Sequence, residues 1–288
     1  MDQAAQFSII VLTLDEEVHL ERLLRSVERL DAPVFVLDSG SSDRTLGIAA
    51  EYGAVTAFNQ FVNHPLQWAA ALEMFDIQTP WIIGLDADHY LSPELERKLM
   101  DFRDADIKSA VNGIFFNRKN FFKGKWIRYG GYFPKYMLKM FRTGKVRSSL
   151  HERLDHRFIV EGETMIWKDG YLVEENLKEN AISFWINKHN KYSDLVAQDE
   201  LDKRENISSQ QRGDLFGNPD QKVAAQKRFW LKMPLLLRPF LYFFYRYVLK
   251  FGFLDGRTGF IFHFLQAFWF RFLIDVKIIE LQKQKEKI

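Results

Sequence analysis

The chain has 288 residues, 47% of them hydrophobic and 27% charged. That balance supports a sizeable buried core and excludes disordered, collagen-like and low-complexity classes. With 40 Lys/Arg against 38 Asp/Glu the net charge is only +2, so whole-chain charge asks for no polyanionic partner and no nucleic acid.

Zero cysteines remove disulfide scaffolds, cysteine nucleophiles and thiolate metal sites, and fit a reducing compartment. Met1 to Ser8 carries Asp2 and no basic residue, and the apolar run after it stops at Asp15. That is not the pattern of a signal peptide. In chain order, Phe7-Ser-Ile-Ile-Val-Leu12 is an apolar, β-branched run and predicts a buried strand. Leu20, Leu23, Leu24, Val27 and Leu30 fall at helical spacing, and the helix ends near Asp31-Ala-Pro33. Val34 to Leu37 predicts a second strand, stopped by Asp38-Ser-Gly-Ser-Ser-Asp43. A helix from about Arg44 to Tyr52 follows, with Ser41, Ser42 or Asp43 as its N-cap. Ala54 to Phe58 is a third strand, Leu66 to Phe75 a helix, and Trp81 to Leu85 a fourth strand ending in Asp86-Ala-Asp88. Ser92-Pro93-Glu94 starts the next helix, with Pro just inside and acids in the first turn.

Strands alternating with helices imply an α/β fold with a parallel sheet covered on both faces. Ligands of such sheets bind beyond the carboxyl ends of the strands. Strand 1 ends at Thr13, Asp15 and Glu16, strand 2 at Asp38, and strand 4 at Asp86 and Asp88, so five carboxylates converge on one rim. Such a rim repels itself unless cations or hydrogen-bond donors sit in it. No GxGxxG or GxxxxGK[ST] follows strand 1, which argues against a dinucleotide or P-loop cradle. The rim suits a divalent cation, ribose hydroxyls and a base N–H, with hard oxygen ligands selecting Mg or Mn. Each string alone also reads as a turn and helix cap; joint placement after three strands is the signal.

These residues resemble family 2 glycosyltransferases of the GT-A fold, and more narrowly the bacterial branch that builds lipopolysaccharide core and surface polysaccharide. The resemblance lies in Thr13-Leu-Asp-Glu-Glu17, Val36-Leu-Asp-Ser-Gly-Ser-Ser-Asp-Arg-Thr45 and Leu85-Asp-Ala-Asp88. It continues in Tyr129-Gly-Gly-Tyr-Phe-Pro134, Leu138-Lys-Met-Phe-Arg142, His151-Glu152, Trp185 to Ser193, and Gly252 to Phe260. It implies a Rossmann-like, mostly parallel sheet flanked by helices, a nucleotide-sugar donor, and a divalent metal. By position, Thr13 and Glu16 would line a uridine pocket and Asp38 would accept from the uracil. Ser39 and Asp43 belong to the same donor loop, Asp86 would sit near the ribose, and Asp88 would bind the metal on the diphosphate. The family commonly has Asn where Asp15 stands, and a Gln-Arg-Asn-like string of which Gln67 alone carries over. It commonly has an acid where His89 stands; His89 reads as a partly exposed loop histidine or as a metal or phosphate neighbour.

Inverting sugar transfer needs a stabilised leaving diphosphate and one carboxylate to deprotonate the acceptor. The resemblance points to Glu152 as that base, with Asp155 and Glu174-Glu175 as substitutes. Glu152 closes a stretch, Ile107 to His151, that holds 11 Lys/Arg and no acid. Its cations would keep Glu152 ionised and draw phosphates inward; a solvated face is the plainer reading. Lys188 to Tyr192 reads either as a donor-phosphate contact or as an ordinary helix surface.

Between Phe229 and Phe272 lie 17 of the chain's 44 aromatic residues. From Lys222 to Arg257 there are eight Lys/Arg and one acid, Asp255. The longest charge-free stretch, Thr258 to Phe270, is 13 residues, short of the roughly 18–20 a membrane span requires. This predicts an amphipathic aromatic helical extension lying in an anionic membrane interface, or else packing on the catalytic domain or a second subunit. The expected domains are 1–220, catalytic, and 221–288, the extension. The expected activity is metal-dependent inverting glycosyl transfer to a glycolipid or lipid-linked oligosaccharide on the cytoplasmic face of the inner membrane. An inactive relative serving as a membrane-bound assembly partner is the non-enzymatic alternative. A haloacid-dehalogenase-type phosphatase is the rival chemistry, since Ile82 to Asp88 also resembles its nucleophile strand.

Overall fold

The computed structural model describes residues 5–149, 157–205 and 228–286. They fall into two compact units, Met1–Phe121 with Pro134–Lys178, and Phe122–Phe133 with Glu179–Ile288.

In the first unit, strands β1 (Phe7–Thr13), β2 (Val34–Asp38), β3 (Val55–Phe58) and β4 (Trp81–Asp86) alternate with helices α1 (Leu20–Val27), α2 (Thr45–Glu51) and α3 (His64–Met74). All seven residues of β1 are buried, as a strand covered on both faces requires. Beyond them along the chain come β5 (His89–Leu91), α4 (Pro93–Met100), β6 (Val111–Phe122), β7 (Lys125–Ile127, in the second unit), β8 (Tyr136–Arg142), β9 (Val146–Ser148), β10 (Phe158–Val160) and β11 (Glu163–Glu175). The sheet order is β3-β2-β1-β4-β8-β6-β11-β5. β1 pairs in parallel with β2 and β4, and β2 with β3. β8 runs antiparallel to β4 and β6, making the sheet mixed.

Alternation along β1 supplies both layers. Ile9 and Val11 pack with Leu20, Leu23 and Leu24 of α1 and Leu95 of α4. Ile10 and Leu12 face the other way, into Trp68 and Ala71 of α3 and Phe158. α3 begins two residues before the expected Leu66, because the Asn63 carboxamide accepts from the Leu66 N–H at 2.9 Å and Pro65 sits in the first turn. Gly170, at φ +79°, lies against α4: a Cβ there would stand 2.7 Å from the Leu95 Cα. The irregularity in β11 between Trp167 and Tyr171 brings that glycine in.

The expected boundary at 220/221 lies outside the described residues, and the compact units divide elsewhere. Helix α5 (Ile182–Glu205) belongs with the aromatic C-terminal helices, α6 (Arg238–Phe244), α7 (Gly256–His263) and α8 (Phe270–Lys285). The reason is its apolar face: Trp185, Ala197 and Leu201 share a core with Phe262, Phe270, Ile274 and Ile278. Arg238, fully buried, joins α6 to α5 and α8 through Glu200 (2.6 Å) and Asp275 (Nε–Oδ1 2.8 Å). By length and composition one helical stretch among the described residues, Gly252–Lys285, is apolar enough to cross a membrane. Its Asp275 and Ile278 are nevertheless fully buried within this unit.

His189 is a core residue of α5. It stacks on Trp185 with ring centroids 3.5 Å apart, and its Nδ1 donates to the Trp185 carbonyl at 2.9 Å. Lys188 pairs with Glu179 at 2.8 Å. Burial, aided by the Lys188 charge, pushes the imidazole down to about 4. The unfolded chain, titrating near 6.5, therefore binds the proton first, and stability falls as pH drops from about 6.5 to 4. Chemical denaturation across that window should show a loss of about 2–3 kcal/mol in wild type. His189→Gln should flatten the slope; an unchanged slope would put the titration elsewhere.

Candidate active site

The parallel register brings three strand ends level. Thr13 stands opposite Asp38 and Leu12 opposite Asp86, so the segments after β1, β2 and β4 open on one rim. How that rim bears its acids is visible residue by residue.

Asp38 is buried and accepts from the Thr13 hydroxyl (2.8 Å), the Gly40 N–H (2.8 Å), the Ser41 N–H (2.7 Å) and the Ser41 hydroxyl. Four donors fill the lone-pair sites of one carboxylate. Gly40, at φ +100°, makes the turn that aims these N–H groups inward. Asp15 sits in the left-handed region at φ +54°, which Asp and Asn tolerate better than other residues. Its Oδ1 accepts from the Ser42 N–H at 2.8 Å. Asp43 accepts from the Thr45 N–H (2.9 Å), the Thr45 hydroxyl and the Glu17 N–H (3.1 Å). Burial opposes its ionisation, but these hydrogen bonds outweigh it and hold its carboxyl below the usual range. Asp43 thus caps α2 from outside the N-cap position, which Arg44 occupies without a side-chain bond.

Glu16 meets His19 Nδ1 at 2.5 Å and Lys178 Nζ at 3.1 Å. His19 Nε2 accepts from the Leu177 N–H at 2.7 Å, which places the ring proton on Nδ1, facing Glu16. Gln67 is buried and donates to the Ser39 hydroxyl (3.0 Å) and the Asn59 carbonyl (3.1 Å), fixing the loop after β2 against the end of β3.

At the end of β4, Asp86 pairs with Lys139 of β8 at 2.8 Å. Burial opposes ionisation of Asp86, and Lys139 foremost among the nearby positive groups overcomes it, leaving the carboxyl far below the usual range. His89 is not the partly exposed loop histidine expected: it is 1% exposed, on β5. The Asp86 N–H donates to its Nδ1 at 3.0 Å, so the proton sits on Nε2, 3.4 Å from Glu174. Strand β5 pairs with β11, placing Glu174 directly opposite His89. Glu174 also pairs with Arg118, and together with His89 this outweighs burial and holds its carboxyl well below the usual range. Arg22 takes Glu175 by its carboxylate (2.7 Å) and its carbonyl (2.6 Å). Asp88, partly buried, accepts from Asn176 at 3.2 Å.

All the rim residues named from sequence therefore meet here, from Thr13 to Asp88; Glu152 and Asp155 lie outside the described residues. Sequence reasoning missed the partners that keep the rim together, namely Lys139, Arg22, His19, Asn176 and Lys178. Lys139 left one readable signal, a lone cation inside the apolar run Tyr136 to Phe141. Among the described residues no group of three His, Asp or Glu could enclose a metal. A Mg or Mn ion held by one carboxylate plus substrate phosphates fits the set, since such ions commonly keep water and phosphate oxygens as ligands. Asp88, which accepts from Asn176, could be that carboxylate.

Among known proteins, residues 8–156 match the family model "Glycosyl transferase family 2", just over half of the chain. An uncharacterized glycosyltransferase of Rickettsia bellii is 31% identical over 94 residues, which are 33% of this chain and 31% of that protein. The chain thus matches about a third of that relative's length. Among solved structures, S. aureus TarS 1–349 is similar with a TM-score of 0.43 and 14% identity over 98% of this chain and 92% of that one. Glucosyl-3-phosphoglycerate synthase from Mycobacterium tuberculosis, crystallised with Mn2+, uridine diphosphate and glucosyl-3-phosphoglycerate, has a TM-score of 0.30 and 20% identity over 41% of this chain and 44% of that one. The family model and the strand-end rim agree, and the chain belongs to glycosyltransferase family 2, with its GT-A-like mixed α/β fold.

Proposed function

We propose that this chain transfers a sugar from a UDP-sugar, with inversion, to a lipopolysaccharide-core or lipid-linked glycan at the cytoplasmic face of the inner membrane. The observation that carries the reading is the register of β1, β2 and β4, which sets three acid-bearing loops on one rim. Within it the chain's own residues divide the work. The hydrogen-bonded loops Thr13–Glu16 and Asp38–Asp43 are already ordered, so a nucleoside meets a rim fixed in advance. Asp86, ionised at every physiological pH, accepts hydrogen bonds and does not trade protons, which suits a ribose hydroxyl. Asp88 is the residue to hold Mg or Mn beside the diphosphate. That ion, when bound, supplies neutralisation of the charge developing on the leaving group. Glu174 and Glu175 are engaged by Arg118 and Arg22, and Glu152, the base that the family resemblance implies, takes the acceptor proton, with Asp155 as its substitute.

Calorimetric titration with UDP and with GDP, each with and without Mn, tests this. UDP should bind in a manganese-dependent way, and Asp88→Asn should weaken that binding by about tenfold or more. Equal binding of GDP would overturn the uridine assignment. Unchanged manganese dependence in the variant would remove Asp88 from the site.

A further inference from the structure

The second unit carries an unpartnered apolar face. Helix α6 runs on through Tyr245–Leu249, the chain turns at Lys250–Asp255, and α7 leads back. Phe240, Phe244 and Val248 recur every four residues and are exposed, as are Leu249 at the helix end and Phe251 and Leu254 in the turn. Phe260 and Phe264 continue the exposed apolar surface on the returning helix. These eight side chains, each about half open, present on the order of 700 Å², above the roughly 300–600 Å² of the largest patch on an ordinary soluble monomer.

The other side of the turn is tied down. Asp255, buried, accepts from the Arg128 N–H (3.1 Å) and the Tyr129 N–H (3.0 Å), and Lys125 donates to its carbonyl at 2.6 Å. The exposed rings are therefore held outward by a fixed base. Phe251 sharpens the point. It is 56% exposed at φ +58°, a conformation that is strained for a bulky residue and easy for glycine.

Charge selects the occupant. Between Arg228 and Ile274 there are seven Lys/Arg and one acid, Asp255, whose carboxylate is turned inward. Lys250 and Arg257, both exposed, flank the turn, so among its described residues this segment exposes cations and no acid. Apolar side chains ringed by cations match the boundary between anionic headgroups and acyl chains. Asp275 and Ile278, buried in the same unit, keep the continuation of this helix on protein. That favours a hairpin lying in one leaflet over a span.

We propose that the hairpin from Leu237 to Phe264 is the membrane-docking surface of this enzyme, entering an anionic lipid leaflet with Leu249, Phe251 and Leu254 foremost. Its use in catalysis rests on the lipid-linked acceptor proposed above. The experiment is co-sedimentation of the full chain with vesicles of phosphatidylcholine alone and of phosphatidylcholine with phosphatidylglycerol, at low and high salt. The comparison protein is the variant carrying Leu249→Ser, Phe251→Gly and Leu254→Ser. Wild type should bind the anionic vesicles, less so at high salt. The variant should bind at least about tenfold more weakly. Phe251→Gly alone should weaken binding without lowering Tm, since glycine relieves the strained backbone. Equal vesicle binding by wild type and variant overturns the proposal. So does a wild-type dimer that becomes monomeric in the variant, because a second copy would then cover the face. UDP titration of the same preparations separates the two readings. Lost vesicle binding with intact UDP binding speaks to the hairpin, whereas intact vesicle binding without UDP binding overturns the donor assignment alone.

Discussion

Glu152→Gln should lower kcat by about 10²–10⁴-fold, the usual contribution of a positioned general base, while leaving UDP affinity and Tm near wild type. Glu152 is the base that the family resemblance implies, with Asp155 as its substitute, and the carboxylates whose partners the structure describes are poor alternatives. Inverting transfer needs one carboxylate that is ionised yet free to accept a proton from the acceptor. Glu174 is ionised but bound on two sides, by Arg118 and by the Nε2 proton of His89; taking a proton would break a buried ion pair. Glu175 is held by Arg22 at 2.7 Å, and Asp38 has its lone pairs filled. Asp86 is kept far below the usual range by Lys139, which makes it a poor base.

Glu174→Gln should therefore show the opposite phenotype. It strands the Arg118 guanidinium, 8% exposed, and should cost about 2–3 kcal/mol of stability with kcat changed only severalfold. Steady-state kinetics paired with urea denaturation of both variants reads the contrast. A Glu152→Gln enzyme within a few-fold of wild type, beside an inactive but stable Glu174→Gln enzyme, would move the base to Glu174.

The sheet and the acid rim were readable because they rest on local pattern. Apolar runs of five to seven residues ended in Asp38 and Asp86 or, for β1, in Thr13 two residues before Asp15, and a parallel sheet forces such ends onto one side. Family membership also sets aside the phosphatase alternative, which rested on Ile82 to Asp88 alone. What the pattern hid was non-local. His89 looked like a loop residue because β5 is three residues long and finds its partner in β11, with Glu174 85 positions further on. Asp38 was expected to face a base, but whether a carboxylate turns outward depends on where the Gly40 and Ser41 N–H groups point, which a turn sequence leaves open. The C-terminal segment showed its aromatic and basic character in composition. Which rings it would bury and which it would expose was settled by α5, whose apolar face claimed Phe262, Phe270 and Ile274.

Asp86→Asn should destabilise the protein more than Lys139→Met, although each removes the same ion pair. The two partners differ in their access to water. The Lys139 side chain is 4% exposed and that of Asp86 is 35% exposed. Without its anion the Lys139 ammonium stays buried and uncompensated, beside the Trp68 ring at 5.9 Å, at a cost of about 3 kcal/mol. Without its cation the Asp86 carboxylate keeps its open third in water, and the loss should be nearer 1–2 kcal/mol. The double variant should recover part of the Asp86→Asn deficit, since no buried charge is left alone.

Acidity gives an independent reading of the same pair. The folded carboxyl is depressed and the unfolded one titrates near 3.9, so its contribution is complete above about pH 4 and is lost progressively below it as the unfolded chain takes up the proton first. Wild type should therefore lose stability below pH 4 more steeply than Lys139→Met, measured by urea midpoints from pH 5 downward. Equal losses in Asp86→Asn and Lys139→Met would mean that the ammonium reaches water by another route. Lys139 would then no longer be what holds Asp86 as a permanent anion at the rim.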